Sequence, residues 1–156
     1  MFFRMLAVAS AALLLSTAAM AQDAPVGTGV SMMDGRCSKL TLGKDDATAQ
    51  CKNQLGNVTL PDGSVTFIFT TKDKMVGFQG DGTAIKPNAD GSVNLPLGNV
   101  SVGSGPKDMK QTKVSGACVF SNPYSGKPAG VKCSAKSKSG SFAATFLSNG
   151  KPPRAK

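Results

Sequence analysis

The chain has 156 residues and a formal net charge of +9, contains no histidine or tryptophan, and draws all nine of its acidic residues from aspartate. A histidine-dependent triad, a histidine zinc site and a histidine pH switch are therefore excluded. The length suits one domain with a real core, not two domains.

Met1-Phe2-Phe3-Arg4, an apolar run from Met5 to Leu15 and the small-residue site Ala19-Met20-Ala21 read together as a signal peptide over residues 1–21. Its single early arginine suits bacterial export, so the expected location is the periplasm or the exterior. The apolar run is too short to span a bilayer, and nothing from Gln22 onward approaches the ~20 apolar residues that a membrane helix needs. Residues 22–36 are small, polar and glycine-bearing, which reads as a flexible lead-in to a single β-rich domain over 37–147. A basic tail over 148–156 follows.

Four cysteines, Cys37, Cys51, Cys118 and Cys133, in an exported chain predict two disulfides. Four cysteines allow three connectivities, and the two short spacings favour local pairing. No Cys-x-x-Cys occurs, which weakens a redox role, and the long spacings weaken a thiolate zinc site.

Within the domain, runs of four to eight residues alternate in polarity between Gly, Pro, Asn and Asp punctuation, the grammar of strands and turns. The clearest run is 64–70, where Val65, Phe67 and Phe69 share a face, and the second is 141–147, with Phe142, Ala144 and Phe146 facing inward. Weaker strands are expected at 38–42, 75–79, 91–95, 99–103, 113–120 and 129–135. Residues 45–55 read equally as a short helix or as a strand. The glycine and proline content leaves little room for long helices, so the expected architecture is all-β, a small antiparallel β-sandwich or β-barrel. Asp62-Gly63-Ser64-Val65 recurs as Asp90-Gly91-Ser92-Val93, which reads as a repeated hairpin turn.

The second cysteine pair predicts a register. If Cys118 faces Cys133 across a hairpin, Phe120 lies opposite Val131 and Gly116 opposite Ala135, giving one apolar bridged face. Lys132, Lys136 and Lys138 then point away from that face, and Lys113 lies opposite Lys138.

Residues 22–106 carry 7 basic and 8 acidic side chains, whereas residues 107–156 carry 10 basic and only Asp108. Lys113, Lys132, Lys136 and Lys138 are accordingly the anion-binding candidates, with anionic envelope lipid or polymer as the expected partner class. Nucleic acid is not expected, because few aromatics stand among the lysines, with only Phe120 and Tyr124 near.

Ser104-Gly105-Pro106-Lys107 matches the Ser-x-x-Lys pattern of serine acylases, yet Gly105-Pro106 breaks the helix that such a nucleophile opens. No catalytic residue, metal ligand or cofactor is expected. The pattern Cys133, Gly140-x-Phe142 and Phe146 resembles a short segment of small periplasmic inhibitors of C-type lysozyme, which are cysteine-stapled β-barrels. That resemblance implies an inhibitor, whereas a partner of a strongly basic enzyme should be acidic near the contact and this half is basic.

The leading expectation is a non-catalytic exported β-domain acting as an envelope-associated interaction module through its basic C-terminal half. One alternative is a small-ligand carrier, a barrel lined by Phe67, Phe69, Phe78, Phe142 and Phe146. Another is an inhibitor of a secreted hydrolase that presents the loop 121–128. Oligomeric state is not readable from the sequence.

Overall fold

Side chains that alternate in polarity along a strand put one set on each face of a sheet, and a sheet with one apolar face can bury that face by closing on itself. This chain does so. The computed structural model describes residues 28–156. The signal peptide expected over 1–21 and the start of the expected lead-in lie outside the described residues.

The strands are β1 (Gly29–Leu42), β2 (Asp45–Asp46), β3 (Gln54–Thr59), β4 (Ser64–Thr70), β5 (Met75–Asp81), β6 (Lys86–Pro87), β7 (Val93–Gly103), β8 (Lys110–Phe120), β9 (Gly130–Ser137), β10 (Gly140–Ser148) and β11 (Arg154–Ala155). Eight of them, β1, β3, β4, β5, β7, β8, β9 and β10, pair antiparallel in that order, and β10 returns to β1 to close a barrel.

Closure depends on the long first strand. Its N-terminal half, from Gly29 to Asp34, pairs with β3, and its C-terminal half, from Gly35 to Leu42, pairs with β10. At the changeover, a Cβ on Gly35 would collide with the Leu147 carbonyl and the Phe146 ring, so only glycine lets β1 and β10 approach there. The seam between β1 and β3 is filled by residues 43–53. Their path is held by hydrogen bonds from the Gly35 amide to the Asn53 carbonyl at 3.0 Å and from the Ala47 amide to the Leu40 carbonyl at 2.8 Å.

Inward-facing residues of all eight strands fill the interior. Phe69, Val76, Phe78, Leu40, Leu55, Leu95, Val100, Cys118 and Ala144 are fully buried. The Phe69 and Phe78 rings meet edge to face at 5.7 Å, and Phe67 meets Phe120 at 5.0 Å. The five phenylalanines expected to line a carrier cavity are all buried members of this core.

Both disulfides pair locally, Cys37 with Cys51 and Cys118 with Cys133. The first ties β1 to the segment filling the seam. The second links directly opposed residues of β8 and β9, with Phe120 facing Val131 and Gly116 facing Ala135 as the cysteine spacing predicts.

The structure departs from the expected strand boundaries in four places. The lead-in expected over 22–36 is strand from Gly29 onward, because β3 and the C-terminal β11 supply partners on both edges. Residues 45–55 form no α-helix: Asp46 accepts from the Thr48 amide at 2.9 Å, and a single 3-10 turn over Thr48–Gln50 follows before β3 begins. The runs expected at 91–95 and 99–103 are one strand, β7. It keeps exposed Pro96 on its outer side and absorbs Gly98 where the pairing shifts. Finally, the tail supplies β11, which pairs with Ser31 and Met32 and is pinned by Arg154 donating to Asp34 at 2.6 Å.

The turns run on aspartate chemistry. Asp62 accepts from the Ser64 amide and hydroxyl at 2.9 and 2.7 Å, and Asp90 treats Ser92 in the same way at 3.0 and 2.6 Å. The repeated motif is thus one turn used twice. Asp81 accepts likewise from Thr83. These donors, the Ser64 amide for Asp62 and the hydroxyls of Thr83 and Ser92 for the others, hold the three carboxyls below the usual carboxylate range.

A carboxyl whose folded pKa is depressed contributes stability above its unfolded pKa and loses it as pH falls through the folded value. With no histidine or glutamate in the chain, the melting temperature should stay level from about pH 8 to about pH 5 and fall below about pH 4. Thermal melts followed by circular dichroism across that range check this; a step near neutral pH would contradict it.

Candidate basic wall

The outer surface of β8, β9, β10 and β1 is built in rows of opposed residues. Val119 faces Lys132, Lys132 faces Thr145, and Thr145 faces Lys39. The next row runs Ala117, Ser134, Ala143 and Thr41, and the one beyond it runs Ser115, Lys136 and Ser141. Small neutral residues thus surround widely set lysines. No aspartate occurs at 36–41, 115–119, 130–137 or 141–147. Among the described residues, the one ion pair present is Arg154 with Asp34, so none of the wall lysines is ion-paired; exposed Asp46, opposite Thr41 at the edge of the wall, lies close enough to Lys39 to interact with it.

All four predicted lysines are exposed, but the structure divides them. Lys132 sits mid-wall. Lys113, Lys136 and Lys138 line one open depression of about 370 Å³, together with Val114, Ser115 and Ser137.

The expected pairing of Lys113 with Lys138 does not form. β8 inserts Val114 and Ser115 against the single residue Gly98 of β7, a bulge, and the β8–β9 ladder ends at Ser115 with Lys136. Beyond that point the strands diverge, and the two ammonium groups are spared direct opposition, which is destabilising. The Ser137 hydroxyl is committed to the β9–β10 turn, donating to the Gly140 carbonyl at 3.1 Å and accepting from the Ser139 amide at 3.1 Å.

Lys39 belongs to this wall although the sequence reading left it out. It lies in the half of the chain whose charges balance, and barrel closure alone brings it across β10 from Lys132. Alternation around buried Leu40 puts Lys39 on the outer face; no local signal identifies the strand beside it.

The other sequence candidates lie apart from the wall. Ser104 donates its hydroxyl to Asp108, whose second oxygen accepts from the Gly105 amide at 2.7 Å, so this serine closes the β7–β8 turn. The 121–128 loop carries Tyr124 at 69% exposure. It is braced by the Tyr124 amide donating to Asn122 at 2.9 Å and the Ser125 hydroxyl donating to the Asn122 carbonyl at 3.0 Å. A smaller depression of about 230 Å³ lies at the barrel end near Leu60, Pro61 and Thr83. Among the described residues, no helix is long and apolar enough to cross a membrane.

No protein-family model matches the chain, nor does any curated protein or solved structure.

Proposed function

We propose that this is an exported, non-catalytic β-barrel of the bacterial periplasm or exterior, docking on an anionic envelope component through the wall formed by β8, β9, β10 and β1. The observation that carries this reading is the clustering of Lys39, Lys113, Lys132, Lys136 and Lys138 on one face, none of them ion-paired among the described residues and with Asp46 only at the edge beside Lys39. Uncompensated like charge costs stability when held together and is relieved by an anionic partner. Two disulfides are consistent with an oxidising, extracytoplasmic compartment.

Lysine ammonium groups are flexible point charges, suited to dense anionic surfaces more than to planar bidentate recognition. The carrier alternative gains no support, because the phenylalanines it would use are buried in the barrel's core. Retention of the oxidised protein on anionic lipid or polymer, lost when Lys113, Lys132, Lys136 and Lys138 are reversed to glutamate, is the test. Equal retention of that variant would overturn the proposal.

A further inference from the structure

Two large aliphatic side chains stand exposed on the basic wall. Leu147 of β10 is 52% exposed and Val119 of β8 is 37% exposed. On one side Leu147 faces Arg36 of β1, and on the other it faces Gly130 of β9. A side chain at Gly130 would meet nothing within 4 Å, so this glycine leaves the flank of Leu147 uncovered. One step along β10, Thr145 stands between Lys39 and Lys132, and Val119 lies on the far side of Lys132. Strands are about 4.8 Å apart and residues about 3.4 Å apart along each. Leu147 is therefore ringed by Arg36, Lys39 and Lys132, each roughly 10 Å or less away along the sheet.

A soluble polyanion would pair with the cations and gain nothing from the leucine. An anionic bilayer surface offers both a layer of phosphates for the cations and an acyl boundary just beneath it for the aliphatic chain. Long basic side chains reach up to the headgroups while their stems and a neighbouring leucine stay in apolar surroundings. Resting on the basic-wall reading, we infer that the partner is an anionic lipid surface. The barrel lies on it with β8, β9, β10 and β1 downward and Leu147 entering the headgroup–acyl boundary.

The chain has no tryptophan, so Leu147→Trp introduces a single reporter at a half-exposed site that the core does not use. The protein and this variant are each mixed with vesicles of zwitterionic and anionic phospholipid, and separately with soluble polyphosphate. With anionic vesicles, the Leu147→Trp protein should co-sediment and its indole emission should shift to the blue. With polyphosphate it should bind without a shift. Leu147→Ser should lower vesicle partitioning about five-fold and leave polyphosphate binding unchanged. Co-sedimentation with no blue shift, or equal effects of Leu147→Ser in both arms, would overturn the lipid assignment and leave the basic wall standing for a polymer. Failure of the unsubstituted protein to bind either probe at low salt would overturn the wall itself and the lipid assignment with it.

Discussion

Reversing Lys113, Lys132, Lys136 and Lys138 together to glutamate should lower retention on an anionic surface by more than about a thousand-fold. A lysine near such a surface contributes about 1 kcal/mol, so neutralising four already removes about 4 kcal/mol, and reversal adds repulsion. The fold should be nearly indifferent. All four side chains are exposed and none makes an ion pair in the described structure, and surface changes of this kind usually stay within about 0.5 kcal/mol. Within the depression lined by Lys113, Lys136 and Lys138, reversal exchanges one set of like charges for another, so it brings no net relief of repulsion there. Parallel binding and thermal-melt measurements separate the two effects, since a damaged fold would lower both. A second role for Lys113 can be separated in the same way. β8 before Ser115 has no partner on its β9 side, and lysines on an open sheet edge discourage pairing with another chain. If edge protection were their only role, replacing these lysines by alanine would cause aggregation or dimerisation while anion retention was kept, and the glutamate variant would stay monomeric.

Removal of both disulfides should be the most damaging change to the fold. The bridges close loops of 14 and 15 residues, and each contributes about 3 kcal/mol by restricting the unfolded chain. Domains of this size are stable by about 5 to 15 kcal/mol, so losing about 6 kcal/mol leaves a marginal protein. The two losses should differ in kind. Cys118 and Cys133 are buried on the inner face between β8 and β9, the strands that carry Lys113, Lys132 and Lys136 and lead into the turn that carries Lys138. Opening that bridge should loosen the wall as well as the core. Cys37 and Cys51 hold the seam beside β3, and their loss should free residues 43–53 while the wall keeps its register. Denaturant melts of Cys118→Ala/Cys133→Ala and Cys37→Ala/Cys51→Ala, with hydrogen exchange on each, check this. Equal protection of β9 amides in the two variants would contradict it.

The parts of this fold that sequence reveals are those whose signal is local. The run 64–70 matches β4 because Val65, Phe67 and Phe69 alternate without interruption, and the two cysteines with Phe120 and Val131 pin the β8–β9 register. What it hides depends on partners distant in sequence. Gly29 to Asp34 carries little apolar alternation and becomes strand because β3 and β11 flank it. β3 itself contains Gly56 and Asn57, which read as turn residues. Pro96-Leu97-Gly98 reads as a break, yet β7 runs through it by turning Pro96 outward. The candidate wall was legible only in part. Lys132 and Lys136 follow from alternation along one strand, whereas the bulge that separates Lys113 from Lys138 leaves no mark in the sequence. Lys39, Arg36 and Leu147 come together only through the pairing of β1 with β10, which joins opposite ends of the domain.

The most direct test of the docking face is an amide-resolved NMR titration of the oxidised protein with small anionic bicelles at low salt, repeated at high salt. Docking through this wall should concentrate perturbation at residues 36–41, 115–119, 130–138 and 141–147, fading as salt screens the charges. Perturbation centred on Tyr124 and residues 121–128, or a response indifferent to salt, would contradict it.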